Sequence, residues 1–183
     1  MGNAYQIHDQ EGTYFLTFQV VDWVDIFSRK IYRDIIVDSL NYCIAHKGLR
    51  VIAWVIMTNH VHAIFYTENK KLSDVVRDFK AHTAREIFKQ IQESTESRQI
   101  WMKHIFRFNA MKHSRNEYQQ FWTHENHAVC CEPTKPQIMQ SRINYIHQNP
   151  VRAGWVEVEE HYLYSSARDY AGIYAILERR SNG

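Results

Sequence analysis

Val51–Tyr66, VIAWVIMTNHVHAIFY, decides how the rest of this chain is read. Apolar residues run almost unbroken to Met57, Thr58 and Asn59 offer a two-residue turn, and apolar character resumes after His60. The stretch therefore predicts two strands joined by a tight hairpin. Side chains alternate faces along a strand, so His60 and His62 share one face while Val61 enters the opposite layer. Two imidazoles on one face are half of a metal site. A lone pair of this kind also occurs in structural and surface settings, so it needs a partner elsewhere in the chain.

Ile143–Val156, INYIHQNPVRAGWV, supplies one. A helix predicted from about Lys135 to Gln148, with Thr134 as its cap, carries Tyr145 and Asn149 four residues apart on one face and ends at Pro150. A phenol on a rigid helix can reach a phosphate held by a metal that the asparagine helps to bind. His147 points about half a turn away and stays outside this set. By itself Tyr145 would read as a core tyrosine with a satisfied hydroxyl.

Around these stretches the pattern alternates between strands and helices. Thr13–Val21 predicts a first strand with Tyr14, Leu16, Phe18 and Val20 on one face. Arg29–His46 carries a helical apolar stripe that stops before Gly48, and Lys70–Gln92 carries a longer one through Leu72, Val75, Val76, Phe79, Ile87 and Ile91. In Glu93–Tyr118 basic and aromatic residues interleave: Arg98, Trp101, Lys103, Phe106, Arg107, Phe108, Lys112 and Arg115. Such a composition suits single-stranded nucleic acid, because cations track phosphates and flat rings stack on unpaired bases; equally, the rings can pack on the domain. Gln119–Glu132 predicts a hairpin. His124, His127, Cys130 and Cys131 within it invite zinc, but the hairpin would scatter them over both faces, and no CxxC pair closes a tetrahedral site. The tail from Tyr162 to Tyr170 predicts a clamp of tyrosines, and Ser165 and Ser166 have no acid and histidine partners recognisable for a serine nucleophile.

The 183 residues fit one domain, residues 13–172, between a loosely held terminus at 1–12 and a tail at 173–183. With 22 basic and 20 acidic residues the net charge is +2, which permits nucleic-acid binding without demanding it. No apolar run approaches a membrane span, the first residues lack a signal-peptide pattern, and three cysteines without framework spacing point to a reducing, cytoplasmic setting. The order of elements predicts an α+β fold with helices packed on one face of an antiparallel sheet.

MTNHVH (57–62), YIHQNPVRAGWV (145–156) and YLYSSARDY (162–170) together resemble the HUH transposases, and within them the REP-associated tyrosine transposases, over most of the chain from Thr13 to Tyr170. Thr58 stands where that family has proline, a departure in the turn and not among the ligands. The resemblance implies a ferredoxin-like core with the tyrosine on a C-terminal helix, Tyr145 as nucleophile, and His60, His62 and Asn149 as ligands of Mg2+ or Mn2+. It also implies Lys80 as a phosphate contact; Arg77 beside it and Lys103 and Arg107 in the basic-aromatic segment are further candidates for contact with DNA. The expected activity is nicking and strand transfer on single-stranded or hairpin DNA through a 5′-phosphotyrosine, by a nucleoid-associated monomer or homodimer. Two rival functions remain: a module that keeps the fold without catalysis and binds hairpin DNA independently of Tyr145, and a metal nuclease that uses His60 and His62 with water as nucleophile.

Overall fold

The computed structural model describes residues 6–112, 118–132, 134–174 and 176–177; the rest of the expected terminus, basic-aromatic segment and tail lies outside them. Strands β1 (Tyr14–Gln19), β2 (Leu49–Ile56), β3 (His60–Thr67) and β4 (Val129–Cys130) form an antiparallel sheet in the order β2-β3-β1-β4. Helix α1 (Lys30–His46) links β1 to β2; α2 (Leu72–Glu93) and α3 (Gln99–Met111) lie between β3 and β4. Helix α4 (Pro136–Arg152) and the single turn α5 (Ala167–Tyr170) follow. Without α3 this is the βαββαβ order of a ferredoxin-like core. Among the described residues no helix is long and apolar enough to cross a membrane.

Helices cover both faces of the sheet, not one. Tyr14, Leu16, Phe18, Val61, Ala63 and Phe65 pack against α1, α2 and the inner stripe of α3, including Met102 and Phe106. Phe15, Ala53, Val55, Met57 and Ile64 form a second, smaller core with Ile143 and Ile146 of α4. The reason is visible in register: Phe15 lies opposite Ile64, and Ala53 also lies opposite Ile64, so the second face carries large apolar side chains that water would otherwise wet. Full burial of each such residue is worth about 1.5–3 kcal/mol, so the face recruits a helix. A bulge between Val51 and Ala53 adds Ile52 to β2; Val51 joins the larger core while Ala53 and Val55 turn to α4.

Gln119–Glu132 does not fold back on itself as a hairpin. It runs along the outer edge of β1, where Thr123 N donates to Gln19 O, Thr17 N to Asn126 O and Cys131 N to Thr13 O, and Trp122 bridges Val20. The unpaired backbone groups of β1 are the stronger demand, and this segment satisfies them.

Helix α4 also differs at its ends. Thr134 does not cap it, since its hydroxyl donates to Glu132, and the helix passes through Pro150 to Arg152. A proline in the last turn forfeits one backbone bond there; the end comes at Gly154, whose φ of +73° suits a left-handed residue. Ala153 N donates to Asn149 O and Gly154 N to Val151 O as the chain leaves the helix.

The tail clamps the other edge of the sheet. Ser165 bridges Val55, Ile56 N donates to Tyr164 O, and Ser166 N donates to Trp54 O. The hydroxyls of Tyr162, Tyr164 and Tyr170 donate to Ile56 O, Asp34 and Ile52 O. Buried Ser166 Oγ accepts from Trp54 N at 2.9 Å and lies 2.9 Å from His147 Nε2, so one hydroxyl ties the tail, β2 and α4 together. Ser166→Ala leaves these buried groups without it, and the expected loss in chemical denaturation is about 1–3 kcal/mol; a loss below about 0.5 kcal/mol, the scatter of ordinary surface substitutions, would contradict this role.

Candidate active site

Strand register sets the site. His62 lies opposite Thr17 of β1 and Val55 of β2, and His60 lies opposite Gln19, all on the face covered by α4. The two imidazole centroids are 4.6 Å apart. His60 Nδ1 is 2.6 Å from Asn59 Oδ1, and His62 Nδ1 is 2.9 Å from Thr17 Oγ1. An amide oxygen only accepts, so His60 carries its proton on Nδ1, and its Nε2 keeps a lone pair. Thr17 can hold His62 in the same tautomer. Such oxygen partners orient metal-binding histidines in general.

Burial pushes the His60 imidazole down to about 4. Burial, with the charges of His60, Arg152 and Arg142 behind it, pushes His62 down to about 3. Both rings are thus neutral at pH 7, the form that coordinates a cation.

Tyr145 comes to this pair from above. Its ring meets His62 nearly perpendicularly at 5.3 Å and Phe15 at 5.9 Å, and the residue is 37 % exposed. A core tyrosine would be sealed; this one stands at the edge of the small core. Asn149 Nδ2 donates to Tyr145 O at 3.2 Å, which turns the amide back along α4 and leaves Oδ1 as the atom able to ligate. His147 is buried and directed to Ser166 and Tyr170.

Two arginines that the sequence reading passed over complete the surroundings. Arg152 donates to Tyr145 O at 2.8 Å and sets its guanidinium 4.5 Å over the Tyr145 ring. Arg142 lies 5.0 Å over Phe15. Among the described residues neither has a carboxylate partner. Their spacing held the signal: 142, 145, 149 and 152 fall on one helical stripe.

Among the described residues no three His, Cys, Asp or Glu side chains gather around a common point. An ion here would have two imidazoles from β3, the Asn149 amide oxygen and ligands from water or substrate. Neutral rings with oriented Nδ1 atoms fit that role.

The four expected DNA contacts lie on elements that pack against the opposite layer. Lys80 of α2 donates to Thr123 O at 2.8 Å and to Asn126 Oδ1 at 2.7 Å, and burial pushes its ammonium down to about 8. It ties α2 to the segment beside β1. Arg77 is exposed and paired with Asp74 and Asp78. On α3, Lys103 is half-buried and Arg107 exposed. Cys131 is buried and its neighbour Cys130 exposed.

A fold with a histidine pair on its central strand and a tyrosine helix over it has relatives. The sequence model of the family described as "Transposase IS200 like" matches residues 13–121, more than half of the chain. The chain belongs to that family of transposases. The matched region contains His60 and His62 and stops before α4, so Tyr145 and Asn149 lie beyond it. Among solved structures, the chain is similar to a REP-associated tyrosine transposase bound to a REP hairpin, with 19 % identity over 100 % of this chain and 94 % of that one, at a TM-score of 0.58. It is more distantly similar to a putative transposase from Deinococcus radiodurans, with 18 % identity over 74 % of this chain and 90 % of that one, at a TM-score of 0.42. At 19 % identity the first likeness is one of fold. No curated protein matches the chain.

The depressed imidazoles have a consequence for stability. In the unfolded chain a histidine binds its proton near pH 6.5; in the fold the pair does so only near 4 and 3. Between pH 6.5 and 5 the unfolded state therefore takes up more protons, and the metal-free protein is expected to lose thermal stability as pH falls through that window. His62→Gln is expected to flatten the dependence. A midpoint insensitive to pH over that window in the parent protein would contradict neutral, buried rings.

Proposed function

We propose that this transposase nicks single-stranded DNA and transfers the cut strand, with Tyr145 as nucleophile and with Mg2+ or Mn2+ held by His60, His62 and Asn149. The observation that carries the reading is the perpendicular contact of Tyr145 with His62, made from a helix on the same sheet face and with the phenol partly open to solvent. The family assignment and the REP hairpin bound by a protein of the same fold support a hairpin-bearing single strand as substrate. Its setting is the nucleoid of a bacterial cytoplasm, and it acts as a monomer or homodimer.

A phosphodiester resists attack because its oxygens are negative and its leaving alkoxide is poor. A divalent cation supplies charge neutralisation and polarisation of that phosphate, and two nitrogen ligands favour Mn2+ more than an all-oxygen site would. The chain's own groups do the rest. His60 and His62 present Nε2 lone pairs because Asn59 and Thr17 hold the other ring nitrogens. Arg152 and Arg142 place positive charge beside Tyr145 and Phe15, where an incoming phosphate would lie. Tyr145 Oη gives its proton to solvent and forms a bond to phosphorus, the P–O3′ bond breaks, and the departing 3′ oxygen takes a proton from solvent. The product is a 5′-phosphotyrosine and a free 3′-hydroxyl. Because the diester energy is retained, the same or another 3′-hydroxyl can reverse the step and join strands without a nucleotide cofactor.

Incubation of a labelled hairpin single strand with Mn2+ and resolution on a denaturing gel tests this. Wild type is expected to give a covalent protein–DNA band. Tyr145→Phe is expected to give none while binding the strand within a few-fold of wild type. Cleavage that survives in Tyr145→Phe would assign the nucleophile to water, and binding by wild type without cleavage would reduce the protein to a hairpin-binding module.

A further inference from the structure

Between β1 and α1 the chain makes a short 3-10 turn, Val21–Trp23, in which two consecutive non-glycine residues adopt left-handed backbone: Asp22 at φ +50° and Trp23 at φ +56°. A β-carbon is disfavoured there, so such strain persists only where the surroundings impose it. The surroundings here are specific. Buried Asn109 of α3 donates Nδ2 to Asp22 Oδ2 at 2.7 Å, and Trp23 N donates to Val20 O. Asn59 reaches Trp23 O through Nδ2 at 3.4 Å while its Oδ1 orients His60.

The outcome is unusual for an apolar residue. Val20, Val21, Val24, Ile26 and Phe27 around the turn are all buried, yet Trp23, the largest side chain in the stretch, is 57 % exposed. Its indole stands 6.0 Å from the His60 ring at an interplanar angle of 85°. A perpendicular contact covers at most one face of the indole, so a flat apolar surface remains open beside the histidine pair. Most of the indole surface is left outside the core.

We propose that Trp23 is a stacking platform for one unpaired nucleobase adjoining the phosphate processed at His60 and His62. The proposal rests on the single-strand nicking function above and extends it to a base contact. A nucleobase suits the surface because indole stacking on bases tolerates any sequence and requires the base to be unpaired. The described residues on and beside α3 carry charge of the matching sign: Arg98, Lys103, Arg107 and Lys112 fall in residues 97–112 with no acidic residue among them, Arg98 pairing with Asp25 and Glu96.

Fluorescence anisotropy with a hairpin oligonucleotide bearing a single-stranded flank, and with each flanking nucleotide made abasic in turn, tests the contact. Trp23→Ala is expected to weaken binding about five- to hundred-fold, the range that one stacked base commands, and Trp23→Phe to retain most of the affinity. One abasic position is expected to cost wild type a similar factor and to cost Trp23→Ala nothing more. Trp23→Gly relieves the backbone and is expected to raise the thermal midpoint while showing the same loss of binding. Unchanged affinity in Trp23→Ala, or an equal further loss at every abasic position, would overturn the platform while leaving the nicking function intact. A wild-type protein that fails to bind the hairpin strand at all would overturn both. Light scattering that shows a wild-type dimer and a Trp23→Ala monomer would assign the ring to self-association instead and also overturn the platform.

Discussion

The pairing of Thr17 with His62 across β1 and β3 is the contact on which the rest of the site depends. It fixes the register in which His60 and His62 face α4, and it places Phe15 two residues along, against both His62 and Tyr145. A slip of one residue would send both imidazoles into the layer under α1 and α2. The sheet therefore has two tasks on its two faces. One buries the large core, and the other buries just enough apolar surface to seat a single helix beside a polar cluster.

That second face explains the chemistry of the cluster. Phe15, Ile64 and Val55 lower the local polarity, which keeps the imidazoles neutral, and α4 brings a tyrosine, an asparagine and two arginines along one stripe. The tail secures this arrangement from outside through Ser166 and His147. The strained Asp22–Trp23 turn belongs to the same logic: a conformation that folding alone would avoid is held by Asn109 and Asn59 at the rim of the site.

Much of this was legible in the order of residues. Period-two alternation around His60 and His62, the four-residue spacing of Tyr145 and Asn149, and the helical stripes of α1 and α2 are local patterns, and local patterns survive folding. What was not legible depends on partners far apart in sequence. The second helical layer follows from the bulge at Ile52 and from Phe15 and Ile64, which meet across β1 and β3 on the face that also carries the histidines, a pairing that a single strand does not disclose. Gln119–Glu132 looked like a hairpin because its competitor, the open edge of β1, lies a hundred residues away. Lys80, expected from the resemblance to contact phosphate, donates to Thr123 O and Asn126 Oδ1 of that same segment, partners that its own helix does not disclose. Arg142 and Arg152 share the helical stripe of Tyr145 and Asn149, so the same spacing reaches them.

The central claim is that the β3 histidines and the α4 tyrosine serve one metal-centred site. Anomalous diffraction from crystals of the Tyr145→Phe protein grown with Mn2+ and a hairpin single strand addresses it most directly. The account predicts a manganese peak within bonding distance of the Nε2 atoms of His60 and His62, with a DNA phosphate between that ion and the ring at position 145. A manganese ion bound elsewhere, or a strand whose phosphates never approach that ring, would contradict it.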